Sequence, residues 1–116
     1  MSAKNIVIAG DYFNYRIGWT TGLVYIEDSK GYNIEDISKS NVEHYEIVTE
    51  ESIKSASSAI SRGLLGGFLL GPVGLLAGLS AKSKGIHTLA VQFKNGKKCL
   101  IEIDDKRYKE IIKRMF

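Results

Sequence analysis

Apolar and polar residues alternate near both ends of this chain and give way in the middle to an apolar run without alternation. Residues 5–9 (NIVIA) are short and β-branched and predict a first strand. Gly10 and Asp11 break it, and Tyr12 to Trp19 predict a second, irregular strand. After a turn at Thr20-Thr21-Gly22, the segment Leu23 to Glu27 alternates, with Val24 and Ile26 on its apolar face. Asp28-Ser29-Lys30-Gly31 reads as a turn, Tyr32 to Ile37 as a returning strand, and Val42 to Thr49 as another. In the last of these, Val42, His44, Glu46 and Val48 are expected to share one side.

The clearest pattern lies downstream. Ile86 to Lys94 and Lys97 to Ile103 flank Asn95-Gly96, a two-residue link suited to a type I′ hairpin turn. Leu89, Val91 and Phe93 share one face of the first strand, and Cys99, Ile101 and Ile103 one face of the second. Asp104 or Asp105 then caps a last helix in which Tyr108, Ile111, Ile112 and Met115 fall on one face. Acidic residues open that helix and Lys113-Arg114 close it, in agreement with its macrodipole. The expected fold is α+β: a small antiparallel sheet or partly open barrel, with the C-terminal amphipathic helix packed on it.

Between these halves, Gly63 to Ala81 (GLLGGFLLGPVGLLAGLSA) runs nineteen residues without a charge, seven of them Leu and six Gly. Small residues recur every fourth position at Ser55, Ala59, Gly63, Gly67 and Gly71, and again at Gly74 and Gly78. On a helix that spacing gathers them on one face, where another backbone can approach closely. One continuous helix of this length spans about 28 Å, just short of a bilayer's hydrocarbon core. Pro72 sits near its centre, however, and a single crossing would divide the strands across a membrane. A hairpin turning at Gly71-Pro72 within 51–84 keeps both ends near the sheet and is the preferred expectation. The remaining alternative is a soluble hairpin or loop packed on its own sheet. Glycine costs about 1 kcal/mol relative to Ala in a water-exposed helix, which disfavours so many of them there.

Composition bounds the rest. A chain of 116 residues with 44% hydrophobic and 25% charged residues predicts one ordinary globular domain, 1–116. The apolar start is too short for a signal peptide and the single Cys99 has no partner, so the expected location is the cytoplasm. The net charge of +3 hides a split: residues 1–53 balance at −5 and residues 54–116 at +8. Such halves suit internal pairing or complementary patches between subunits, and the basic half suits an anionic membrane surface. No dense basic cluster interleaved with aromatics is present, so nucleic acid is not an expected partner.

The order of strands, inserted apolar segment, hairpin and helix resembles small bacterial PH- or GRAM-like β-domains that carry a glycine-zipper hairpin. The resemblance rests on GWTTGLVYIED at Gly18–Asp28, RGLLGGFLLGPVGLLAG at Arg62–Gly78, and the hairpin VQFKNGKKCLIEID. It implies a PH-like sheet interrupted by the hairpin. The chain lacks a defined basic headgroup pocket, so phosphoinositide binding is not implied.

Catalytic chemistry finds no support in the sequence. His44 and His87 lie on strands without ligand-spaced partners, and Cys99 shares a face with Ile101 and Ile103, as a buried thiol would. Ala81-Lys82-Ser83 lacks the glycines of a phosphate-binding loop. Glu50-Glu51 and Asp104-Asp105 read as helix N-terminal charges. Trp19 is expected in the core, with a recognition or membrane-interface role as the alternative. The expectation is a non-enzymatic protein without cofactor or metal, which presents its hairpin for self-association and, secondarily, to a membrane. Gly63, Gly67, Gly71, Gly74 and Gly78 would give close approach, and Leu64, Phe68, Leu75 and Leu79 the apolar contacts. The alternative expectation is a soluble, monomeric PH-like module that binds a peptide or lipid headgroup.

Overall fold

A computed structural model describes residues 5–48 and 85–115. The strands are β1 (Ile6–Gly10), β2 (Arg16–Thr20), β3 (Leu23–Glu27), β4 (Asn33–Asp36), β5 (Val42–Ile47), β6 (Ile86–Phe93) and β7 (Lys98–Asp104). They form one curled antiparallel sheet, a half-barrel in the order β4-β3-β2-β1-β7-β6-β5. A single described helix, α1 (Asp105–Met115), follows β7 directly. The α+β class expected from the patterning is the class observed; the inserted hairpin lies outside the described residues.

The core sits on one face of this sheet, where the alternation predicted it. Val24 and Ile26 of β3 pack with Leu89, Val91 and Phe93 of β6 and with Cys99, Ile101 and Ile103 of β7. Ile111 seats α1 on that cluster, with Tyr108 and Met115 packed beside it. Burying a side chain of this size stabilises by about 1.5–3 kcal/mol. Asp104 caps α1, its Oδ1 accepting from the Arg107 backbone N–H at 3.0 Å. The opposite face of the sheet is buried along one row as well. A bulge after Val7 brings Ala9 opposite Leu100, which in turn pairs with Ala90, and Leu100 and Ala90 are 0% exposed.

Four expectations need correction. The second strand begins at Arg16, because Tyr12 and Asn14 have positive φ and fold 11–14 into a turn. The β6–β7 link is not type I′, which needs positive φ at both Asn95 and Gly96. Only Gly96 has it, at 91°; Phe93 pairs around to Lys97, leaving the three-residue loop Lys94-Asn95-Gly96. In β5 a bulge between Val42 and His44 shifts the register, so Tyr45 rather than His44 joins Val42 against the core. Trp19 lies outside the core cluster and is 42% exposed.

Candidate functional site

The residues expected to mediate contact lie outside the described residues: Gly63, Gly67, Gly71, Gly74, Gly78, Leu64, Phe68, Leu75 and Leu79. What the structure does place is the root of their segment. β5 and β6 are neighbours, with Ile47 opposite Leu89, and Val48 N–H donates to the Thr88 carbonyl at 2.9 Å. The chain therefore leaves the sheet after Val48 and re-enters at Gly85 on the same end of the same strand pair. Among the described residues no helix is long and apolar enough to cross a membrane.

The end of the sheet that carries this root is closed by α1. Ile86 pairs with Asp104, where β7 becomes helix. His87 Nε2 lies 2.5 Å from Asp105 Oδ1, and its ring stacks on Tyr108 at 3.9 Å. Asn5 donates to Asp104 and receives the Asp104 N–H, tying β1 to the same corner. Arg107 reaches back to donate to the Ile17 carbonyl at 2.9 Å, and its guanidinium pairs with Asp104. At its far end α1 meets the β2–β3 turn. Gly22 there has φ 82°, and a Cβ at that position would run into the Arg114 guanidinium.

The opposite end is drawn together by Glu35. Its Oε2 accepts from the Tyr12 hydroxyl at 2.6 Å and from Asn95 Nδ2 at 2.9 Å, and its Oε1 from Asn41 Nδ2 at 2.9 Å. These donors come from the β1–β2 loop, the β6–β7 loop and the β4–β5 connection. One carboxylate therefore stitches the curled sheet across its opening. Burial pushes the Glu35 carboxyl up, but the hydrogen bonds from Asn41, Tyr12 and Asn95 and the Lys97 charge outweigh it. The group sits below its ordinary value. Tyr12 moves the other way, to about 12, through burial first and then its bond to the Glu35 carboxylate. An open trough of about 420 Å³ runs beside this clasp, lined by Asn33, Ile34, Glu35, Asp36, Ser40 and Asn41. Phe13 and Tyr32 stand exposed in the loops at this end.

Chemically the clasp is a holding device. Glu35 has donors on both oxygens, and its lowered proton affinity leaves it a poor base. Cys99 is fully buried, and burial followed by the Asp11 and Glu35 charges pushes its thiol up to about 12. No group of three or more His, Cys, Asp or Glu able to hold a metal occurs among the described residues. The clasp residues were missed by sequence reasoning because Tyr12, Glu35 and Asn95 come from three separate loops and strands. Asn95 was singled out only for its turn. Comparison with protein-family models, curated proteins and solved structures finds no match to this chain.

Proposed function

We propose that this protein is a non-enzymatic, PH-like β-domain that presents the segment 51–84 for self-association. One observation carries the reading: β5 and β6 pair directly, so the segment connects two neighbouring strands whose pairing is already made. Its small-residue face at Gly63, Gly67, Gly71, Gly74 and Gly78 suits close backbone approach, and Leu64, Phe68, Leu75 and Leu79 call for apolar cover.

Light scattering on the full chain in detergent-free buffer tests this. The wild type should run as a multimer, and Gly67→Leu or Gly71→Leu should reduce the mass while near-UV circular dichroism stays native. A mass unchanged by either substitution refutes the reading. A second reading, the monomeric PH-like module with 51–84 laid over its own sheet, is favoured by the buried row Ala9, Leu100 and Ala90. It requires the wild type itself to be a monomer.

A further inference from the structure

The outward face of α1 carries an excess of positive charge, with Lys106, Lys109 and Lys113 against the single carboxylate of Asp105. Lys106, Lys109 and Lys113 fall opposite Ile111 at helical spacing, and all three are exposed. Neither acid of the helix serves them: Asp105 lies against His87, and Glu110 pairs with Arg114. The neighbouring Arg107 is taken up by Asp104 and the Ile17 carbonyl. Among the described residues no ion pair involves any of the three lysines.

Their position gives this stripe a direction. α1 closes the end of the sheet where the chain leaves after Val48 and returns at Gly85. Trp19, beside the β2–β3 turn at that end, is 42% exposed, and Ile47, the last residue of β5, is exposed too. One end of the molecule thus combines three exposed lysines, an exposed indole and both roots of the segment that contains the uncharged run. The other end mixes its signs. Lys97 faces Glu35 and lies over the Tyr12 ring, while Asp11 and Asp28 bind backbone N–H groups of the loops there.

We propose that the α1 end docks on an anionic bilayer surface, with Lys106, Lys109 and Lys113 against the headgroups and Trp19 at the interface. The proposal rests on the reading of 51–84 as a presented segment, and adds lipid as a partner and an orientation toward it. Tryptophan favours the boundary between headgroup and hydrocarbon. Three lysines near an anionic surface together give roughly a hundredfold in partitioning.

Vesicle sedimentation of the full chain tests it, with phosphatidylcholine alone and with phosphatidylcholine plus phosphatidylglycerol. Wild type should prefer the anionic vesicles by about a hundredfold, less at high salt. The triple change Lys106→Gln, Lys109→Gln and Lys113→Gln should remove that preference. Lys30→Gln, Lys94→Gln and Lys97→Gln, at the other end, should leave most of it. Circular dichroism checks that each variant is folded. Equal binding to both vesicles, equal loss in both triple variants, or no vesicle binding at all would overturn the proposal. Light scattering without lipid separates the two readings. A helix variant that still self-associates while wild type ignores charge sinks the lipid proposal alone, whereas a monomeric wild type sinks the self-association it builds on.

Discussion

Tyr12 holds φ at 64°, a region that a bulky L-residue enters only when its surroundings offset the strain. Three contacts do so: its hydroxyl donates to Glu35, its ring packs edge-on against Phe93 at 6.3 Å, and Lys97 Nζ lies 5.6 Å from the ring centroid. The phenol keeps its proton to about pH 12 in the folded state, above its ordinary value near 10. The native state then binds the proton more tightly than the unfolded chain. The associated stability is complete below about pH 10 and is lost as pH rises toward 12. Glu35 has the opposite sign, its contribution being present above the ordinary carboxylate range and lost on acidification. Tyr12→Phe should cost about 1 kcal/mol at neutral pH, the net worth of one hydrogen bond. It should also flatten the alkaline decline in urea stability relative to wild type; parallel declines in the two proteins would refute the linkage. None of this was legible in the sequence, where Tyr12 reads as the start of a strand. A positive φ and a hydrogen bond to Glu35 follow from how the curled sheet brings its loops together, and local patterning carries no trace of that.

Elements were more legible than residues, and for a physical reason. β6, β7 and α1 each present one unbroken apolar period, so Leu89, Val91, Phe93, Cys99, Ile101, Ile103 and Ile111 could be assigned to the core from spacing alone. β5 could not, because its bulge is set by register against β6 and interrupts the alternation after Val42. The loop after Phe93 differed for a related reason: Asn95 spends its side chain on Glu35 and on the Lys97 N–H, with only Gly96 at positive φ. The sequence offers Asp104 or Asp105 as the cap of α1; the structure uses Asp104, a point where one residue governs an element. Asp104 caps the helix, pairs with Arg107 and accepts from Asn5. Burial raises its carboxyl, but the Arg107 N–H and charge dominate and hold it below its ordinary value. Asp104→Ala should therefore destabilise by roughly 1–2 kcal/mol, and Asp104→Asn, which retains the cap, by less. Equal losses in chemical denaturation would show that the cap is not what anchors α1.

At the scale of the whole molecule, the question is whether the half-barrel is self-sufficient. Every described strand has its partner within 5–48 and 85–115, and thirteen buried residues of these two stretches form a core cluster. Replacing residues 49–84 by a short glycine-rich turn joins Val48 to Gly85 across a strand pair that already exists. Shortening the connection by about three halvings lowers its closure entropy cost by about 2 kcal/mol. Cys99 reports the outcome. Its thiol is buried in the core and pushed to about 12, so it reacts with a thiol reagent only when the sheet opens. The shortened chain should protect Cys99 until denaturant unfolds it cooperatively, and should be monomeric by light scattering. Immediate labelling in native buffer would mean that the sheet requires its insertion, making 51–84 part of the fold instead of a surface carried by it.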